Sequence, residues 1–108
     1  MDLAHKKCIP CETKIPPMIP TDVTAHSALF KTPWEILENK KIKQQFQFKN
    51  FKEAMHFVNQ VAEIAETEQH HPDIYIFYNK VIIELWTHFI DGLTENDFIM
   101  AAKIESII

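Results

Sequence analysis

The spacing of apolar residues predicts a strand followed by a helix in the middle of the chain. Apolar and polar residues alternate from Ile42 to Phe48, as in a strand with one buried and one wet face. From about Phe51 to Thr67 the apolar residues recur at steps of three and four, as on one side of an amphipathic helix. Asn50 stands where the N-cap is expected, and Glu53 completes a capping box.

Two strands and a final helix are predicted in the last third of the chain. Asp73–Tyr78 and Lys80–Thr87 are rich in β-branched and aromatic residues, and Asn79 between them indicates a tight hairpin. The second strand carries apolar residues on both faces, so the pattern leaves open which face meets the helices. Pairing with another subunit would explain the second face. Thr94 is a suitable N-cap for the helix, with Asp97 near the positive end of the helix dipole.

The first third of the chain is interpreted as an irregular segment, a short helix and a short strand. Residues 1–20 hold four of the six prolines, which remove backbone donors and oppose helix formation. A helix over residues 21–30, capped at its first or second residue, would precede a strand at Trp34–Glu38. We therefore expect a proline-rich segment containing a C-x-x-C motif over residues 1–20, and one domain over residues 21–108.

The predicted element order is α-β-β-α-β-β-α. Strand pairs with short links, separated by helices, are typical of an α+β domain with an antiparallel sheet and helices on one face. At 108 residues the chain is long enough for one such domain with its own core.

Charge and composition narrow the functional classes. The formal net charge is −4, which does not favour binding to nucleic acid. No apolar run approaches the roughly 20 residues that span a bilayer, and the N-terminus lacks the apolar stretch of a signal peptide. We therefore expect a cytoplasmic protein without a membrane partner. Gly92 is the only glycine, so the glycine-rich loops that bind nucleotide phosphates are absent.

Cys8 and Cys11 form an isolated C-x-x-C motif. A structural zinc site normally needs four ligands, and neither a second cysteine pair nor another complete set lies nearby in the sequence. A thioredoxin-like redox pair would follow a strand, whereas this motif lies in the proline-rich segment. We interpret it as part of an uncommitted N-terminal segment, with metal binding and redox chemistry as open alternatives.

Three histidines are candidates for chemistry because the predicted hairpin would bring them together. His70 and His71 come shortly before its first strand, and His88 follows its second, so the imidazoles should meet at one end of the sheet. Imidazole titrates at about pH 6.5 and can transfer protons at neutral pH. Glu66, four residues before His70, and Asp97, at a helix N-terminus, could orient the rings.

The spacing of these histidines leaves several readings open. Adjacent histidines are common in surface loops, and a histidine at a strand end often has a structural role. Three imidazoles and a water can also bind zinc. A proton-transfer site and a metal site are therefore alternatives at this point.

The histidine cluster lies within a longer series of motifs that resembles the pterin-4a-carbinolamine dehydratases. The series consists of His70-His71-Pro72-Asp73, Tyr78-Asn79-Lys80-Val81, Thr87-His88, Gly92-Leu93-Thr94 and Asp97. The resemblance covers residues 21–108, and the C-x-x-C segment is similar to leader segments of bacterial members. H-H-P alone is a weak signal, but these pieces in this order and spacing are specific.

The resemblance implies both a fold and a reaction. The fold is a four-stranded antiparallel sheet with three helices packed on one face, assembled into homodimers or homotetramers through sheet edges and helices. The enzyme is a hydro-lyase that converts 4a-hydroxytetrahydrobiopterin, or a related 4a-carbinolamine, to quinonoid dihydropterin and water. Its substrate comes from an aromatic amino acid hydroxylase, so it would support tetrahydropterin recycling. The reaction implies no metal and no redox cofactor.

The resemblance also assigns roles to residues of this chain. His70, His71 and His88 match the family's essential histidines. We expect His70 and His88 to move protons while His71 chiefly binds and orients the pterin. Glu66 and Asp97 match the supporting acidic positions that orient the substrate or the histidines.

Asp73 and Ile74 stand where many members of the family have glutamate and tryptophan. Asp73 keeps the charge and is expected to help bind or orient the substrate. Ile74 lacks the aromatic surface that forms part of the pocket wall. We therefore expect the change to alter the affinity or preference for the pterin rather than the reaction.

Two other functions are alternatives. Some members of the family serve as dimerisation partners of a transcription factor, so the chain could be a non-catalytic co-regulator module, although such a module would be expected to have lost a histidine. A metal-dependent hydrolase would use the three histidines as zinc ligands, and its activity would be sensitive to chelators.

We expect the double variant Cys8→Ser, Cys11→Ser to dehydrate a 4a-hydroxypterin at the wild-type rate, because the motif lies outside the histidine cluster. The rate is measured from the decay of the ultraviolet absorbance of the 4a-hydroxypterin. A large loss of activity in a folded double variant would show that the motif takes part in the function.

Overall fold

A four-stranded sheet with two helices makes up the part of the chain that the computed structural model describes. That part comprises residues 30, 34–38, 40–87, 90 and 92–108. In chain order its elements are β1 Glu35–Leu37, β2 Lys41–Gln47, α1 Phe51–Glu68, β3 Asp73–Phe77, β4 Lys80–Leu85 and α2 Glu95–Glu105.

All neighbouring strands are antiparallel, and their order in the sheet is β1-β2-β4-β3. β4 therefore lies inside the sheet, with Ile83 opposite Gln44 on one side and Ile74 on the other. Glu38 after β1 and Tyr78 after β3 have left-handed backbone, with φ of 52° and 54°. This conformation cannot continue a strand, which explains why both strands end one residue earlier than predicted.

The alternation along β4 decides which face of the sheet the helices cover. Val81, Ile83 and Leu85 are fully buried and share one core with the apolar sides of both helices. Ile42 and Phe46 of β2 extend the same core. Burying one such aliphatic side chain stabilises the fold by about 1.5–3 kcal/mol relative to leaving it exposed. Both described helices therefore pack on this one face.

The capping groups of α1 set its two ends. The Asn50 side chain accepts a hydrogen bond of 2.9 Å from the Glu53 N–H, so the predicted N-cap is confirmed. At the other end Gln69 is left-handed, with φ 55°, and its N–H donates to the Ala65 carbonyl. This αL residue closes the helix after Glu68 and turns the chain toward the core.

Helix α2 is buried more completely than its apolar stripe predicts. Phe98, Ile99, Met100 and Ala101 are consecutive and all buried, so the helix is enclosed on several sides. Phe30 stacks on Phe98 with 6.1 Å between the ring centres, and covers part of this helix from the N-terminal side of the chain. Neither α1 nor α2 is long and apolar enough to cross a membrane.

The prediction of three helices is not matched in the described part of the chain. The observed order there is β-β-α-β-β-α, in place of α-β-β-α-β-β-α. The helix predicted over residues 21–30 and the proline-rich segment over residues 1–20 lie outside the described ranges, apart from Phe30. The four-stranded antiparallel sheet and the two later helices are confirmed.

The opposite face of the sheet is not covered by either described helix. It carries Tyr75, Ile82, Glu84 and Trp86, in register across β3 and β4 and at the end of β4. Lys41 Nζ lies 3.3 Å from Glu84 Oε1 and 5.2 Å from the centre of the Trp86 ring. The ammonium group of the lysine thus lies over the Trp86 ring and is paired with the Glu84 carboxylate on this open face.

Mutations on the two faces of β4 should lower the free energy of unfolding by different amounts. Ile83→Ala should destabilise the protein by about 2–5 kcal/mol, because it leaves a cavity in a fully buried position. Ile82→Ala on the open face is the matched control and should cost on the order of 1 kcal/mol or less. Urea denaturation followed by circular dichroism measures both. Equal losses for the two variants would contradict the assignment of the faces.

Candidate active site

The left-handed turn at Gln69 directs His70 into the protein. The backbone N–H of His70 donates to the Ala65 carbonyl at 3.2 Å, so the residue is still attached to the last turn of α1. Its side chain is only 5% exposed. Pro72 follows two residues later and favours an extended chain leading into β3. The position of His70 therefore follows from how the helix ends.

His70 is paired with a buried carboxylate. His70 Nε2 lies 2.7 Å from Asp97 Oδ1, and the Asp97 side chain is 0% exposed. Asp97 sits in the first turn of α2, where the unpaired N–H groups and the helix dipole favour a negative charge. The sequence expectation that Asp97 could orient a histidine therefore agrees with the geometry, and the histidine is His70.

Two further donors hold the other oxygen of Asp97. Asp97 Oδ2 accepts a hydrogen bond of 2.9 Å from the Thr87 hydroxyl and one of 3.0 Å from the Thr94 N–H. The second bond is the reciprocal half of a capping box, which confirms Thr94 as the N-cap of α2. Thr87 and Thr94 are both buried, and their hydroxyls lie 2.9 Å apart.

Glu66 contacts His71 rather than His70, so the expected i, i+4 pair is wrong. Glu66 Oε2 lies 2.6 Å from His71 Nε2, and the side chains are 74% and 57% exposed. The pairing differs because α1 ends at Glu68 and the left-handed Gln69 takes His70 out of the helical register. His71, one residue further on, then lies over the last turn of the helix.

Asp73 lies on the open face of the sheet, away from the pair of His70 and Asp97. It lies opposite Glu84 in the pair of β3 and β4, and its Oδ2 accepts a hydrogen bond of 3.0 Å from Trp86 Nε1. Ile74 points the other way and packs against the core as a half-buried residue opposite Ile83. The structure therefore separates Asp73 from the buried acid, although only two residues stand between it and His70.

The hairpin that should bring His88 to His70 and His71 is confirmed. β3 and β4 pair from Asp73 opposite Glu84 to Phe77 opposite Lys80. His88 itself lies outside the described residues, and so do Cys8 and Cys11. Its neighbour in sequence, Thr87, reaches Asp97 and through it His70. The membership of His88 in the histidine cluster stays a prediction.

The described side chains do not form a metal site. Among them, no group of three or more His, Cys, Asp or Glu side chains is arranged to hold a metal ion. The alternative zinc site formed by three histidines requires His88, which lies outside the described residues, so it stays an open alternative.

Sequence reasoning missed Thr87 as a member of the site. The signal was present: Thr87 shares the face of Val81, Ile83 and Leu85, so a strand pattern places its hydroxyl in the core. A buried hydroxyl needs a hydrogen-bond partner, and here that partner is Asp97.

The two described histidines of the candidate site, His70 and His71, can serve different chemical purposes. His70 is held rigidly by a buried acid, which fixes the orientation of its ring. His71 is largely exposed, and its ring can contact a ligand at the surface while Glu66 supports it. Groups of this kind, held near one another at the end of a sheet, can donate and accept protons at neutral pH.

The buried carboxylate of Asp97 should contribute more to the stability of the protein than the exposed carboxylate of Glu66. Asp97→Ala leaves His70, the Thr87 hydroxyl and the Thr94 N–H without their buried acceptor, and should cost about 3–5 kcal/mol. Glu66→Ala breaks an exposed pair and should cost less than about 1 kcal/mol. Urea denaturation checks both, and a small loss for Asp97→Ala would argue against a buried, fully paired carboxylate.

Comparison with solved structures finds the same fold. The structure of a transcriptional coactivator/pterin dehydratase from Brucella melitensis matches with a TM-score of 0.79 and 32% sequence identity. The match covers 84% of this chain and 97% of that chain.

Comparison of sequences finds relatives of nearly the same length, which carry the name pterin-4-alpha-carbinolamine dehydratase as a provisional designation. One from Nitrosospira multiformis is 47% identical over 106 residues, covering 98% of this chain and 92% of the relative. One from Rickettsia canadensis is 45% identical over 106 residues, covering 98% and 97%. One from Alkaliphilus metalliredigens is 41% identical over 104 residues, covering 96% and 94%.

A family model agrees with these relatives and with the motif series around the histidines. The model described as pterin 4 alpha carbinolamine dehydratase matches residues 17–107, which include every described element. The chain therefore belongs to the pterin 4 alpha carbinolamine dehydratase family.

Proposed function

We propose that the protein dehydrates a 4a-hydroxytetrahydropterin, giving a quinonoid dihydropterin and water, by general acid–base catalysis at histidine. The observation that carries the proposal is the buried contact of His70 with Asp97, because it gives one imidazole a fixed orientation beside the exposed His71. Membership in the family, whose relatives are named for this reaction, supports the same conclusion.

The reaction needs two proton transfers and no change of oxidation state. The bond between C4a and the hydroxyl oxygen breaks, and the leaving oxygen takes a proton from a general acid and departs as water. A general base removes the proton from N5, and the electrons of that bond form the double bond between N5 and C4a. One positioned acid or base typically contributes about 10²–10⁴-fold to the rate.

In this proposal His70, His71 and His88 are the catalytic residues. His70 and His88 transfer the two protons, and His71 binds and orients the pterin ring. The exposure of His71 suits contact with a ligand, and its bond with Glu66 restrains the ring while leaving it accessible. Asp97 acts on the reaction by holding His70.

Asp73 has a supporting part in the proposal. Its carboxylate is held by Trp86, which anchors the short segment between His71 and β3 to the end of β4. We infer that Asp73 helps to orient the substrate by fixing this segment. Ile74 faces the core next to Ile83, so the pterin must find its aromatic contact elsewhere than at position 74.

The proposed substrate places the protein beside an aromatic amino acid hydroxylase in the cytoplasm. That hydroxylase releases 4a-hydroxytetrahydrobiopterin or a related pterin, and dehydration returns it to the tetrahydropterin cycle. The protein would act as a homodimer or homotetramer. β3 is an edge strand of the described sheet, and its exposed Tyr75 and Phe77 support pairing with a second copy.

A second function, transcriptional co-regulation without catalysis, is the alternative. The observation in its favour is that the Brucella melitensis protein of the same fold is named both a transcriptional coactivator and a pterin dehydratase. The two functions differ in their dependence on the histidines, since a binding module of this fold would work without proton transfer.

His70→Ala and His88→Ala should each lower kcat by about 10²–10⁴-fold, because each removes a proton-transfer group. A phenylalanine hydroxylase generates the 4a-hydroxypterin in place, and its ultraviolet decay is followed with and without the protein. His56→Ala is the control, because His56 is exposed on α1 and outside the cluster.

The possible results separate the two functions. Acceleration by the wild type and by His56→Ala, largely lost in both active-site variants, would support the dehydratase. No acceleration over the spontaneous rate by a folded wild type would favour the co-regulator. Unchanged turnover in both active-site variants would remove the proposed mechanism.

A further inference from the structure

Thr87 lies in a buried chain of hydrogen bonds that connects three parts of the fold. Thr94 Oγ1 lies 2.9 Å from Thr87 Oγ1, which lies 2.9 Å from Asp97 Oδ2, and Asp97 Oδ1 lies 2.7 Å from His70 Nε2. All four side chains are buried. This chain of hydrogen bonds joins the end of α1, the segment after β4 and the N-terminus of α2.

The number of hydrogens that each side chain carries determines which group is the donor in each of these hydrogen bonds. Thr87 has one hydroxyl hydrogen and donates it to Asp97 Oδ2, so toward Thr94 it can only accept. The hydroxyl of Thr94 is therefore the donor of the bond between the two threonines. Asp97 Oδ2 also accepts from the Thr94 N–H, so this oxygen receives two hydrogens and carries none of its own.

The remaining hydrogen lies between Asp97 Oδ1 and His70 Nε2. The two donors on Oδ2 and the N-terminus of α2 stabilise the ionised carboxylate, so the hydrogen belongs on the nitrogen. His70 then donates from Nε2 to a carboxylate, a charge-assisted bond consistent with the distance of 2.7 Å. The hydrogen bond consequently holds the His70 ring with Nε2 toward the carboxylate.

The main chain around Thr87 is also fixed. Its N–H donates 2.8 Å to the Gly92 carbonyl, and its own carbonyl accepts a bond of 3.1 Å from the Ile90 N–H. The backbone of Thr87 is therefore held on both sides. Its hydroxyl has a fixed position and can restrain the orientation of the Asp97 carboxylate. Without this hydroxyl, Asp97 Oδ2 would keep only the Thr94 N–H, and the carboxylate could rotate.

We propose that Thr87, supported by Thr94, is a positioning residue that holds the Asp97 carboxylate so that His70 keeps its hydrogen on Nε2 and its ring in one fixed orientation. The inference rests on the proposed function for its catalytic consequence. Its structural part, the fixed state of the His70 ring, can be observed without the reaction.

The test compares two substitutions at position 87. Thr87→Val keeps the shape of the side chain and removes the hydroxyl, and Thr87→Ser keeps the hydroxyl. Ile83→Val is the control, because it shortens a buried apolar side chain of the same sheet that cannot take part in the hydrogen bonds. Each protein is labelled with ¹⁵N, and the ring N–H signal of His70 is assigned by its absence in His70→Ala.

The wild type should show a downfield Nε2–H signal that is protected from exchange with water. Thr87→Val should shift this signal upfield or lose it to exchange, and should lower kcat on the order of 10-fold with KM unchanged. Thr87→Ser should restore both the signal and kcat. Ile83→Val should leave both unchanged even where it lowers the stability of the protein.

Two results would overturn the proposal. One is a Thr87→Val protein with the wild-type ring signal and kcat, and the other is an equal change in Ile83→Val, which would show a general effect of lost stability. If the wild type does not accelerate dehydration at all, the proposed function fails, and the ring signal alone still decides whether Thr87 holds the pair.

Discussion

The carboxylate of Asp97 lies inside the core, and three separate parts of the chain depend on its position. His70 reaches it from the end of α1, Thr87 from the segment after β4, and Thr94 from the N-cap of α2. A buried carboxylate without partners would cost on the order of several kcal/mol, so burial of this acid requires these contacts. The contacts that allow the burial also hold an imidazole at the end of the sheet.

Two histidines adjacent in sequence have opposite environments because of one backbone conformation. The left-handed Gln69 sends His70 into the core and leaves His71 over the surface of α1. A rigidly held ring and an accessible ring therefore stand side by side. The proposed acid–base site benefits from both, since one group must keep its orientation and another must meet the substrate.

Much of the fold follows from interactions between residues that are close in sequence. The alternation over Ile42–Phe48, the helical period over Phe51–Thr67 and the N-caps Asn50 and Thr94 are all confirmed within a residue or two. Such signals involve residues within about four positions, so they are readable before the chain is folded. The hairpin of β3 and β4 was predictable for the same reason.

The tertiary structure decided the pairing within the site and the covered face of the sheet. The sequence by itself determined that His70, His71 and acidic residues would come together, through the motif series and the hairpin. It did not determine that His70 would pair with Asp97, 27 residues away, instead of Glu66, or that Thr87 would hold that acid. Those choices depend on the direction in which the chain leaves α1 and on how α2 packs against β4. The packing of α2 is set by contacts between distant segments, which no local pattern contains. The left-handed turn at the end of α1 occurs at a glutamine rather than at the glycine or asparagine that would indicate it in a sequence.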